Sequence, residues 1–255
     1  MTSPDEKFGL IPFASADELA RAVAGAWLDE IEKAHQVGKL HCVALSGGRI
    51  TRKFFASFVE QARVRKIGNG GKSSLPSNVH FFWADERCVS PDDPESNFKL
   101  ASELLFKPLK VPVGQIHRIR GEDSSKVSVK TAEEELCRIV PRNPASLPVL
   151  DLVFLGMGED GHVASLFPNA PPEVLNHPGP FLFIENSPKP PSRRISLSYA
   201  ALTAAKQVWV LISGTGKEKA LRESLDFSGK TPLARVIQLR QKTLIFSQLG
   251  AREKS

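Results

Sequence analysis

The chain has 255 residues, 41% of them hydrophobic and 24% charged, and its 34 basic against 28 acidic residues leave a formal charge of +6. That length can bury a sizeable core, as one large α/β domain or two small ones, and no apolar run approaches the ~20 residues that a membrane helix needs. Three widely spaced cysteines (Cys42, Cys88, Cys137) and six histidines without an H-x-x-x-H pair argue against a disulfide framework or a metal site and for a reducing cytoplasm.

The N-terminal stretch MTSPDEKFGLIPF carries acidic residues early and has no long apolar segment, so no secretory leader is expected. Residues 15–35 read as an amphipathic helix, with Ser15 at the N-cap and Glu18 completing a capping box. Residues 40–45 (LHCVAL), 79–84 (VHFFWA), 150–155 (LDLVFL), 207–213 (QVWVLIS) and 242–247 (KTLIFS) read as buried strands. They are short, rich in β-branched or aromatic residues, and bounded by turn residues. Residues 96–106, 128–140 and 217–225 read as further helices. The basic run RVRKIGNGGK (63–72) reads as a loop, and the proline-rich 168–180 as an excursion within one domain, because apolar strands flank it.

Strands alternating with helices predict βαβ units: an α/β fold with a largely parallel sheet and helices on both faces, as a single domain over 1–255. The basic balance suits a solvated surface or an anionic partner. Nucleic acid is disfavoured, because there is only one tyrosine and the basic residues are dispersed. Ligands of open α/β sheets bind at the carboxyl ends of strands. The residues that follow each strand therefore carry the functional reading.

After 40–45 comes LSGGRITRKFF, with a helix starting near Arg49. Its two glycines fit either a phosphate cradle at a helix N-terminus or a plain tight turn. After 79–84 come Asp85, Glu86 and Arg87, which fit a surface salt-bridge cluster or, through Arg87, a bidentate grip on a phosphate or carboxylate. Cys88 beside them reads as a buried structural thiol. After 150–155 comes LGMGEDGHVASLFP, in which Gly156, Gly158 and Gly161 have the G-x-G-x-x-G spacing of a dinucleotide turn. Glu159 and Asp160 would repel a pyrophosphate there, and any helix that follows is only a few residues long. Asp160 and His162, flanking Gly161, fit better as a carboxylate orienting an imidazole general base. After 207–213 comes SGTGKEKAL, where Lys217 suits an anion but Glu218 rules out a P-loop hydroxyl. Arg193 and Arg194 add cations just before an alternating strand.

The segments LSGG, ADERCVSPDDPESN, LDLVFLGMGEDGHVASLFP, PKPPSRRISLS and VLISGTGKEKAL resemble, in that order, the characteristic segments of 6-phosphogluconolactonases, which belong with the glucosamine-6-phosphate deaminases. The resemblance spans roughly residues 10–250. It implies a modified Rossmann-like fold and hydrolysis of 6-phospho-D-glucono-1,5-lactone to 6-phosphogluconate, with no metal or organic cofactor. Carried over by position, it makes His162 the base, with Asp160 and Gly161 shaping its turn. Ser46, Gly47 and Gly48 would line a phosphate pocket walled by Arg194 and Lys217, and Arg87 would hold the substrate or its developing carboxylate. Many members continue SGG with Ser or Thr, whereas this chain has Arg49, which would replace a hydroxyl contact with a charged one or face solvent.

Two rivals share that fold. Amino-sugar phosphate deaminases carry D-E-Y in place of D-E-R and a glutamate where this chain has Phe167. A non-catalytic sugar-phosphate sensor needs a DNA-binding segment and has no need of Asp160 with His162.

Overall fold

The computed structural model describes residues 7–65 and 75–249. The chain runs β1 (Phe8–Pro12), α1 (Ala16–Gln36), β2 (His41–Leu45), α2 (Arg49–Arg65), β3 (Val79–Trp83), β4 (Asp85–Arg87), α3 (Asn97–Ala101) and α4 (Ser125–Ile139). It continues as β5 (Leu152–Gly156), β6 (Phe181–Ile184), β7 (Arg194–Leu197), α5 (Tyr199–Ala204), β8 (Gln207–Ile212), α6 (Glu218–Leu225), α7 (Pro232–Leu239) and β9 (Thr243–Ser247). Among these helices none is long and apolar enough to cross a membrane.

Six strands form one parallel sheet in the order β1-β9-β8-β5-β2-β3. Every residue of β2 is buried, as in a strand covered on both faces, which is why its sequence reads as a continuous apolar run rather than an alternating one. Helix α1 begins as its sequence predicts: Ser15 Oγ accepts from Glu18 N at 3.1 Å. The Glu18 carboxylate reaches back one residue further than a standard capping box, to Ala14 N at 3.2 Å. Leu19, Val23, Trp27 and Ile31 recur at helical spacing and are fully buried. Trp27 packs on Phe58 of α2 and Phe154 of β5, with ring centroids 4.2 and 4.9 Å apart, so α1 and α2 are anchored together on the sheet. Each such ring contributes about 1.5–3 kcal/mol by leaving water.

All five expected strands occur within a residue or two of their predicted ends, and they lie in this one sheet. Three features of the strands and of the glycine turn depart from expectation. Strand β1 was not foreseen, because its five residues FGLIP are half-exposed and carry neither alternation nor a continuous apolar core. Asp85–Arg87, expected only as the residues that follow a strand, form a short strand of their own in a second, antiparallel sheet of order β4-β7-β6. Three residues are too few for a period to be read. No helix follows the glycine turn at 156–161; the backbone there folds back through the isolated bridges Met157↔Val163 and Val163↔Leu166.

The predicted helix at 96–106 starts at Ser96, whose side chain accepts from Lys99 N, and passes into a π-helical turn at Ser102–Phe106. The helix expected at 128–140 starts three residues early, at Ser125. Helices α5 and α7 were not expected at all. Of the basic run 63–72, residues 63–65 end α2 and the rest lies outside the described residues.

Candidate active site

In chain order β2 is followed by its outer neighbour β3, whereas β5 lies on the other side of β2 and leads on towards β8 and β9. The loops leaving β2 and β5 therefore diverge, and the crevice between them is the topological switch point where such sheets take ligands. The loop Ser46–Gly48 and the turn Gly156–His162 flank it, and a Cβ on Gly156 would stand only 3.6 Å from the Gly47 carbonyl oxygen. The cleft is lined by Ser46, Gly47, Gly48, Arg49, Asp85, Arg87, Asn97, His162, Arg194 and Lys217, among others. Residues spread over about 170 positions of sequence thus meet in one place, as their strand-end locations predict.

Gly47 is needed for a contact, not a conformation. A Cβ there would fall 2.0 Å from Asn97 Oδ1, and Asn97 in turn donates from Nδ2 to the Asp85 carbonyl at 2.8 Å. Gly48 adopts φ +116, which opens the chain into α2. Thr51, one turn into α2, donates to the Gly47 carbonyl at 3.0 Å and pins the loop from below. The 17-residue helix that follows starts at the cleft, where Arg49 and Ile50 of its first turn line the wall and the Thr51 N–H donates to the Gly48 carbonyl at 3.2 Å.

On the opposite wall, Gly161 has φ +77, and its carbonyl accepts from Leu233 N at 3.1 Å, which ties the turn to α7. The imidazole of His162 donates from Nδ1 to Asp160 Oδ1, and the same oxygen accepts from His162 N at 3.3 Å. Nδ1 therefore carries the proton, and Nε2, which has no partner among the described residues, is the basic atom. Phe167 covers the ring, with centroids 4.7 Å apart. Burial pushes the His162 pKa below its ordinary value, and Lys189 adds to this, while Asp160 and Asp85 pull the other way. The pull of the Asp160 carboxylate towards the protonated ring is thus outweighed by burial. For Asp160 burial is likewise the largest influence, upward, but the His162 hydrogen bond and the Lys189 charge together hold its carboxyl below the usual range.

The position of the ring depends on Gly158. A Cβ there would come within 2.0 Å of both His162 Cε1 and Nδ1. Gly158→Ala is therefore expected to displace the imidazole rather than the backbone. A shift of ~1 Å at a reacting group can cost about 10²-fold in rate, so kcat should fall by about that factor with little change in the melting temperature. Steady-state kinetics beside a thermal melt checks the separation, and equal losses in both would show that the backbone moved instead.

Asp85 and Glu86, side by side, have different tasks. Glu86 is buried and accepts from the backbone N–H groups of Arg87, Asn97 and Phe98 at 2.8, 2.8 and 2.7 Å, and from Ser96 Oγ at 3.2 Å. It orders the start of α3. Burial raises its pKa to about 7 against the pull of those three N–H groups. Asp85 faces the cleft, accepting from Ser165 Oγ at 2.7 Å and from Ser46 Oγ at 3.4 Å.

The cations divide into two pairs. Arg87 and Arg194 stand directly opposite each other on β4 and β7. Arg87 donates from Nη1 to the Glu95 carbonyl at 2.6 Å, and its buried Nε has no partner among the described residues. Arg194 is almost fully buried and donates to the carbonyls of Lys189, Pro190 and Pro191 at 2.9–3.1 Å, so it shapes a loop as well as facing the cleft. Lys217 occupies the N-cap position of α6 and is only 8% exposed. Neither a carboxylate nor a carbonyl is bonded to it among the described residues, and burial lowers its pKa to about 8, with Arg49 contributing. An unpaired buried ammonium at the positive end of a helix is doubly unfavourable until an anion arrives. Arg49 lies at the rim with its side chain 70% exposed to solvent, and its guanidinium meets Glu159 Oε1 at 3.3 Å.

Among the described residues the other buried histidines serve the fold: His41 accepts from Trp27 Nε1 at 3.1 Å, and His117 bridges His80 and Glu135 at 2.9 and 2.7 Å. Cys88 is half-buried rather than fully buried as expected, and that burial still raises its pKa. Four contributors were not foreseen: Asn97, Gly158, Ser165 and Lys189. Gly158 was visible as the middle glycine of its turn; Asn97, Ser165 and Lys189 lie inside the segments that carry the resemblance, but no role was read for them there.

Residues 14–246 match the family described as glucosamine-6-phosphate isomerases/6-phosphogluconolactonase. The chain is 37% identical over 203 residues to a 6-phosphogluconolactonase of Mycobacterium tuberculosis, covering 72% of this chain and 81% of that one. It is 35% identical over 184 residues to a 6-phosphogluconolactonase of Haemophilus influenzae, covering 71% and 72%. The crystal structure of the 6-phosphogluconolactonase from Thermotoga maritima superposes with a TM-score of 0.75 at 27% identity, covering 94% of this chain and 98% of that one.

Proposed function

The chain belongs to the glucosamine-6-phosphate isomerase/6-phosphogluconolactonase family, and from that premise we propose how its cleft hydrolyses 6-phospho-D-glucono-1,5-lactone to 6-phosphogluconate, the second step of the oxidative pentose phosphate pathway. The observation that carries the reading is the free Nε2 of a neutral, carboxylate-oriented His162 in a cleft that also holds four cations. The three free cysteines fit a reducing, cytoplasmic setting for this step.

The lactone carbonyl is already electrophilic, so an activated water suffices. Nε2 of His162 takes a proton as the water oxygen bonds to C1. The C1–O5 bond then breaks, and the same nitrogen returns the proton to the leaving ring oxygen. The new carboxylic acid ionises and releases one proton to solvent. Asp160 stabilises the imidazolium that forms in between, which is the moment when its charge is most useful. Ser46, Gly47, Gly48, Arg49, Arg194 and Lys217 take the phosphate. Arg87, with its unpaired buried Nε, holds the C1 end and its developing charge. Phe167 packs on the base, and by the resemblance of its turn it takes the position of a ring-opening deaminase's glutamate, which favours the hydrolytic reading over deamination.

The test follows proton release from freshly made lactone, with spontaneous hydrolysis subtracted, as a function of pH. His162 must be neutral and Lys217 charged. The profile of kcat/KM should therefore rise with pH through an inflection below the ordinary imidazole value of 6.5, then fall as Lys217 deprotonates at about 8. Turnover no faster than background across that window would remove the proposed activity.

A further inference from the structure

Lys189 has no place in the reading above. It lies in the loop 187–192, twenty-seven residues from His162, yet its Nζ stands 3.5 Å from His162 Nδ1 and 3.6 Å from Asp160 Oδ1. The loop that carries it is firmly held. Ser187 N donates to the Ser192 carbonyl at 2.8 Å, Ser187 Oγ donates to the Lys189 carbonyl at 2.8 Å, and the buried Arg194 guanidinium takes three successive carbonyls from Lys189 to Pro191. Arg194 also lies over Phe167, 5.6 Å from its centroid, and Phe167 packs on the imidazole. One loop therefore reaches the catalytic turn twice, through Arg194 and Phe167 to the ring and through Lys189 to the carboxylate.

We propose that Lys189 is a positioning residue of the Asp160–His162 pair, its ammonium sharing the carboxylate with the imidazole so that the ring rests as a neutral, oriented base. The inference rests on His162 being the base. A carboxylate in a partly buried site favours the imidazolium, and a resting imidazolium has no lone pair to accept a proton from water. A cation against the same carboxylate oxygen offsets part of that charge without displacing the hydrogen bond from Nδ1. The charged groups that bear on His162 are Asp160 in its own turn, Asp85 from β4 and Lys189 from this loop. Removing Lys189 takes away the cation that stands against the Asp160 carboxylate and opposes its pull on the ring. The ring should then be protonated over a wider range of pH.

Lys189→Met and Lys189→Arg are compared with wild type by the pH dependence of kcat/KM and by NMR titration of the His162 ring in the free protein, its signal assigned by its loss in His162→Gln. In the methionine variant the acid limb should move to higher pH, with the rate loss several-fold larger at pH 6 than at pH 8. The ring titration should move the same way, and arginine should restore both. An unmoved ring titration overturns the proposal, whatever happens to KM, because a lysine that only touches substrate or decorates the loop would leave the free imidazole unchanged. The NMR arm needs no turnover, so it fails or succeeds separately from the assigned reaction.

Discussion

Replacing His162 with alanine should lower kcat for lactone hydrolysis by about 10²–10⁴-fold, the range typical of a general acid–base residue, with 6-phosphogluconate binding retained. The separation follows from where the groups lie. His162 touches Asp160, Phe167 and Lys189, whereas the cationic contacts assigned to phosphate come from Arg49, Arg194 and Lys217 on other segments. The residual rate in the variant measures what phosphate anchoring and Arg87 provide without a base. The fold should tolerate the change, because the turn is held through its backbone: Gly158 N donates to the His162 carbonyl at 2.9 Å and Leu233 N to that of Gly161. Proton release after subtraction of the spontaneous reaction gives the rate, and calorimetry with 6-phosphogluconate gives the binding. If both fall together, His162 is a substrate ligand and the base lies elsewhere.

The second large effect is expected on KM. Lys217→Met should raise KM by about 10–100-fold, equivalent to the ~1.5–3 kcal/mol of a hydrogen bond to a charged group, with a smaller effect on kcat. The same variant should be as stable as wild type or more so. Lys217 is a buried ammonium with no anionic partner bonded among the described residues, placed against the positive end of α6. An apolar side chain of similar length removes that burden in the free protein. Loss of binding without loss of stability is the mark of a group kept for a ligand. The wild-type protein should approach the variant's kcat/KM as the pH rises past about 8, where the free-enzyme ammonium loses its charge. Steady-state kinetics at pH 7 and pH 9, with thermal melts of both proteins, would settle the point. An unchanged KM at pH 7 would remove Lys217 from the phosphate site.

The division between what was legible and what was not follows the range of the interactions. Strands β2, β3, β5, β8 and β9 were readable because burial on both faces imposes an unbroken apolar run, a property of five or six consecutive residues. The start of α1 was readable for the same reason, since Ser15 bonds a group three residues away. Strand β4 was not, because its pairing with β7 joins Arg87 to a residue more than 100 positions later, and three residues carry no period of their own. The glycine turn shows both sides. Its spacing suggested a dinucleotide cradle, while its acidic residues argued against one. The absence of a following helix agrees with the second reading.

For the site, the sequence alone determined the chemistry that is local: Asp160 and His162 two residues apart, the glycines that let loops approach an anion, and the cations at strand ends. The tertiary structure decided what each charge is for. Adjacent Asp85 and Glu86 look interchangeable in the sequence, yet strand pleating turns one into the cleft and the other onto the backbone of α3. Arg49 finds Glu159, 110 residues away, and Lys189 finds Asp160 from a loop that Ser187 and Arg194 hold. Burial of the His162 ring outweighs the carboxylate beside it, a balance that depends on how many segments close over the ring. Electrostatic roles are sums over neighbours in space, and those neighbours are chosen by the fold.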